Sequence, residues 1–166
     1  MKRVQVPPML AALVQAGIAA VDGHVFSDPL PCPACGVTGA GYDRRIRRFA
    51  TVPDEEGTQE ITVVVKRFRC RSCGEIQDAL APFYPDTRLG SPVVDLCVTL
   101  GRELPYRQVS AVLRDLGLVV DPGTVRNYAS RDFGPVPVTT LFGLHLPQSV
   151  ISLSMHAMRP GGAERG

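Results

Sequence analysis

Four of the five cysteines stand in two matching short frames, Cys32-Pro33-Ala34-Cys35-Gly36 and Cys70-Arg71-Ser72-Cys73-Gly74. Two residues between paired cysteines let both sulfurs face one point, and the glycine that follows permits a tight turn whose backbone amides can donate to the sulfurs. Four thiolates in a tetrahedron select zinc or iron, and zinc is the usual occupant of a closed structural site. The expectation is one structural Zn2+ held by Cys32, Cys35, Cys70 and Cys73. Disulfides or a dithiol redox pair fit less well. Both frames repeat the same ligand, turn and glycine, where a redox pair needs one frame only, and nothing else in the sequence suggests an oxidising compartment. A rubredoxin-like iron site shares the layout, but an electron carrier has no evident use for the arginines between the frames. Cys97 stands apart in an apolar helical pattern with Leu96, Leu100 and Leu104, and reads as a small buried hydrophobe.

The stretch 36–69 between the frames is long enough for a β-hairpin to leave one cysteine pair and return to the other. Residues 61–70 are rich in β-branched types and form the return strand, the outgoing strand runs from about Tyr42 to Val52, and Pro53 to Thr58 joins them. Both strands are basic. Arg44, Arg45, Arg47 and Arg48 lie on the outgoing strand, and Lys66, Arg67, Arg69 and Arg71 on or just beyond the return strand. So many cations on adjacent strands repel one another unless they flank the acidic loop or face a polyanion such as a phosphate backbone. A solvated face that blunts an exposed edge strand is the other reading.

After Pro85 the pattern turns helical. Ser91-Pro92 marks a first helix with Val93, Leu96, Cys97, Leu100 and Leu104 along one side, stopped by Pro105. A second runs from about Tyr106 to Leu116 and ends at Gly117. Asp121-Pro122 caps a third that reaches about Arg131 and is held by Val125, Tyr128 and Ala129. Three short helices with tight turns fit a helix-turn-helix unit. Its third helix would offer Gly123, Thr124, Arg126, Asn127, Ser130 and Arg131 to a major groove, with Arg126 and Asn127 suited to base edges and Thr124 to phosphate. An ordinary three-helix bundle with a solvated outer face remains the alternative.

These elements must be positioned by a chain of 166 residues, enough for one domain or two small ones. The net charge of +2 excludes a generic polycation, so any nucleic-acid surface must come from local clustering. Lys2 and Arg3 ahead of an apolar stretch imitate a signal peptide, but Pro7, Pro8 and Gln15 interrupt it. Leu10, Leu13, Val14, Gly17, Ile18 and Val21 instead fit a short packed helix. No run approaches the ~18 apolar residues of a membrane span, so the expected place is the cytoplasm. The expected fold class is α+β. It comprises an N-terminal helix and turn (1–30), a zinc ribbon (31–80), a helix-turn-helix unit (91–133) and an irregular tail (134–166). His24, His145 and His156 receive no role.

The order Cys-Pro-x-Cys-Gly, arginine-rich hairpin, Arg-x-Arg-Cys-x-x-Cys-Gly, Tyr106-Arg107-Gln108-Val109 and Asp121-Pro122-Gly123-Thr124-Val125-Arg126 resembles the N-terminal region of bacterial and archaeal insertion-sequence transposases over about Pro31 to Phe133. The resemblance implies binding of double-stranded DNA at an element's terminal repeats, a nucleoid-associated location, and a homodimer or a transposition or transcription partner. The family's catalytic domain carries three acidic metal ligands. Here, after Asp132, the only acid is Glu164, so the expectation is a DNA-binding portion without catalysis. A protein-interaction module or a small transcriptional regulator is the alternative.

Overall fold

The computed structural model describes residues 4–157, so Lys2, Arg3 and Glu164 lie outside the described residues. The chain is α+β. Helix α1 (Pro8–Val21) starts on a proline and buries Leu10, Val14, Gly17 and Ile18, the face its spacing predicts. A two-residue strand β1 (Val25–Phe26) follows, then the long hairpin of β2 (Ala40–Asp54) and β3 (Gly57–Arg69). Residues Asp54 and Gly57 pair directly, so the joining loop shrinks to Glu55-Glu56. Asp54 tightens it by accepting the Glu56 backbone N–H on Oδ1 at 2.9 Å. Strand β3 is central. It pairs antiparallel with β2 along its length, parallel with β1 at Val64 and Val65, and antiparallel with β4 (Ile76–Asp78) at residues 67–69.

Helices α2 (Ser91–Gly101), α3 (Tyr106–Asp115) and α4 (Pro122–Ala129) match the expected elements to within a few residues. One start differs: Gly90, not Ser91, is the N-cap of α2, and no side chain caps it. Gly90 packs under the Phe49 ring, where an added Cβ would stand 2.4 Å from the ring carbon. Packing between hairpin and helix therefore sets this start. Helix α2 is the centre of the molecule, buried continuously from Pro92 to Leu100. The middle of the hairpin, Phe49, Ala50, Ile61, Val63 and Val65, belongs to the same apolar core.

The segment expected to be an irregular tail instead forms strands β5 (Val138–Leu141) and β6 (Leu144–Pro147) and helix α5 (Gln148–Ala157). Leu144, Leu146 and Val150 bury their side chains in the core, which gives this stretch its order. Helix α5 packs on α1 so closely that a Cβ added at Gly17 would lie 2.9 Å from the Ser154 backbone nitrogen. Buried Asp95 of α2 ties the region down, accepting from Ser149 Oγ at 2.6 Å and from the Tyr84 hydroxyl at 2.5 Å. Both donors stabilise an otherwise costly buried carboxylate. No helix among the described residues is long and apolar enough to cross a membrane.

Candidate metal centre and nucleic-acid interface

The two cysteine frames fold as copies of one turn. In the first, the Cys32 N–H donates to the Val37 carbonyl at 3.0 Å and the Gly36 N–H to the Cys32 carbonyl at 2.7 Å. In the second, the Cys70 N–H donates to the Glu75 carbonyl at 2.8 Å and the Gly74 N–H to the Cys70 carbonyl at 3.0 Å. Gly36 and Gly74 close these turns at φ of 71° and 78°, a left-handed conformation open to glycine without steric cost. The hairpin then brings the two turns together. Gly39 approaches the start of the second frame so closely that a Cβ there would be 2.5 Å from the Arg69 carbonyl oxygen.

The result is a cluster of four sulfurs, all within 4.8 Å of one another, from Cys32, Cys35, Cys70 and Cys73. Cys32 Sγ and Cys73 Sγ stand 3.6 Å apart. A tetrahedral ion with metal–sulfur bonds of about 2.3 Å requires sulfur–sulfur separations of about 3.8 Å, so the donor set fits a single metal ion. The first cysteine of each pair is buried and the second exposed. Backbone amides of Cys73 and Ser72 donate to Cys70 and draw its thiol down to about 7. Hydrogen bonding with Cys73 pushes Cys35 up to about 12. A cation would replace the protons that neighbouring sulfurs otherwise share. Cys97 lies in α2, fully buried, with its thiol pushed up to about 12 by that burial, away from the cluster.

The basic residues of the hairpin divide into two groups. Arg45 pairs with Asp78 at 2.9 Å, Arg48 with Glu60 at 3.3 Å, and Arg67 grips Asp43, its Nε donating at 2.6 Å. The Arg67 guanidinium holds the Asp43 carboxyl below the usual carboxylate range and is itself raised by that partner. Arg47 donates to the Thr87 carbonyl at 2.6 Å and lies 3.9 Å over the Phe83 ring. Burial pulls its pKa down. Arg44, Lys66, Arg69 and Arg71 form the second group, with no side-chain partner among the described residues. Arg44 and Lys66 are direct cross-strand neighbours, an arrangement that opposes like charges.

On α4, Asp121 caps the helix, accepting from the Thr124 amide at 3.0 Å and the Thr124 hydroxyl at 2.6 Å. Its carboxyl is lowered by those bonds. Val125 and Tyr128 face the core, while Gly123, Arg126, Asn127 and Ser130 are exposed. The Ser130 hydroxyl donates back to the Asn127 carbonyl at 3.2 Å. Arg131, expected beside them as a DNA contact, turns inward. Its Nη1 and Nη2 donate to the carbonyls of Asp86 and Pro85 at 3.0 and 3.3 Å, and it lies 4.7 Å over Phe133. The Arg88 amide donates to the Tyr128 hydroxyl at 3.1 Å. The loop 85–88 is thus gripped by Arg47 from the hairpin and by Arg131 and Tyr128 from the end of α4. Sequence reasoning did not find this strut, because its partners are about forty residues apart and no local pattern marks them. No family model, curated protein or solved structure matches this chain.

Proposed function

We propose that this chain is a zinc-dependent, double-stranded-DNA-binding protein of the kind that forms the DNA-binding portion of an insertion-sequence transposase, with no catalytic role of its own. Zinc is the ion favoured by four cysteine sulfurs in a closed structural site. The observation that carries the reading is α4. It is a capped helix whose one side is buried by Val125 and Tyr128 and whose other side offers Gly123, Arg126 and Asn127 to solvent. Small and polar residues at the start of such a helix allow close approach to base edges, where Arg suits guanine and Asn suits adenine.

Arg44, Lys66, Arg69 and Arg71, which have no side-chain partner among the described residues, would supply phosphate contacts of the sequence-independent kind. Binding to a labelled duplex, followed by fluorescence anisotropy at rising salt, tests the reading. The affinity should fall with a log–log slope of about −0.9 for each neutralised phosphate. Arg126→Ala should lose about 1–3 kcal/mol of discrimination at one base pair while keeping general affinity. Salt-independent binding, or equal affinity for an uncharged polymer, would sink the reading.

A further inference from the structure

A hollow beside the second cysteine turn brings Gly41 and Tyr42, which neither the metal centre nor α4 uses, next to that turn. It has a volume of about 390 Å³ and is open to solvent, with Gly41, Tyr42, Arg69, Cys70, Arg71 and Gly74 in its lining. That is within the size range of small-ligand sites. Tyr42 is 50% exposed. Arg67, fixed by Asp43, lies 5.6 Å from its ring centroid and steadies the ring. Arg69 and Arg71 have no side-chain partner among the described residues. The Arg69 guanidinium lies beside Gly74, 3.8 Å from where a Cβ would be.

Gly41 supplies an independent observation. A Cβ built there meets nothing within 4 Å, so the chain's own packing does not call for glycine. Gly41 also lines the hollow.

We propose that this hollow binds one unpaired nucleotide of a DNA strand, its base stacked on Tyr42 and its phosphates held by Arg69 and Arg71. An aromatic face beside free guanidinium groups is the arrangement by which proteins hold single-stranded nucleic acid, because every base has a face to stack and every phosphate accepts from arginine. The inference rests on the DNA-binding reading, but it assigns a second site, apart from α4, to a single-stranded feature such as an overhang at a duplex end.

The zinc-loaded full chain is titrated with three labelled DNAs: a blunt duplex, the same duplex with a short single-stranded overhang, and one whose overhang is abasic. The overhang should tighten binding about tenfold, the scale of one base stacking on an aromatic ring, and the abasic overhang should recover only a small part of this. Tyr42→Ala should bring the overhang DNA down to the blunt value while leaving blunt-duplex affinity and zinc content unchanged. Tyr42→Trp should keep the gain. An abasic overhang as effective as a normal one, or an undiminished gain in Tyr42→Ala, overturns the inference. Blunt duplex bound with no gain from an overhang overturns this inference and leaves the DNA-binding reading standing. Failure to bind any of the three DNAs overturns both.

Discussion

Cys73 and Cys97 share a side chain and differ in everything around it. Cys73 is exposed and lies 3.6 Å from Cys32 in the four-sulfur cluster, whereas Cys97 is sealed in α2. Cys73→Ser should abolish tight zinc binding and release backbone amides to exchange in the two cysteine turns. The middle of the hairpin, anchored by Phe49, Ile61, Val63 and Val65, should keep its protection. Cys97→Ser should keep its zinc and lose about 1–2 kcal/mol for burying a hydroxyl, read as a lower Tm. The opposite ranking would contradict the ligand assignment. Asp121 gives a second prediction at this scale. Its folded pKa is depressed by Thr124, so its capping contribution is present above its ordinary value near 3.9 and is lost as pH falls through the lower folded value. Asp121→Ala should cost about 1 kcal/mol at neutral pH, and the gap between wild type and variant in urea unfolding should narrow with acidification. The cysteine set could be read from the chain because each frame is local. The inward turn of Arg47 and Arg131 could not, since their acceptors belong to a distant loop.

Among the elements, the three helices from 91 to 129 declared themselves through proline starts and apolar spacing, and their ends fell close to the expected positions. The hairpin of β5 and β6 did not. Its turn is Phe142-Gly143, both residues with positive φ, whereas asparagine or aspartate before glycine is the usual signal. Its strands gain their order from burial against other elements, not from their own residues. The strut between hairpin and α4 predicts a contrast between two neighbouring arginines. Arg47→Ala removes a charged hydrogen bond and a ring contact, and should destabilise the protein by about 1–3 kcal/mol. Arg44→Ala, at a position that opposes Lys66 with no counter-ion among the described residues, should leave thermal stability within about 0.5 kcal/mol and reduce the salt slope of DNA binding by about 1. Equal thermal stability of the two variants would contradict the division of the cations into tethers and free contacts.

The molecule as a whole joins hairpin and helices through a shared core: the centre of the hairpin packs on α1 and belongs to the same apolar cluster as α2, while its cysteine-bearing end stands clear with Arg44, Arg45 and Ile46 exposed. That exposed end has little apolar area to bury, so an ion held by the four sulfurs would supply its stability. The charge pattern alone predicted eight similar cations there. Three-dimensional pairing with Asp43, Glu60 and Asp78 leaves fewer of them free, a distinction invisible to a count of charges. The zinc-edge X-ray absorption spectrum of the purified protein tests the central claim most directly. The expected result is one zinc per chain with four sulfur neighbours at about 2.3 Å. A first shell containing nitrogen or oxygen, fewer than four sulfurs, or protein that folds fully without bound metal would contradict it.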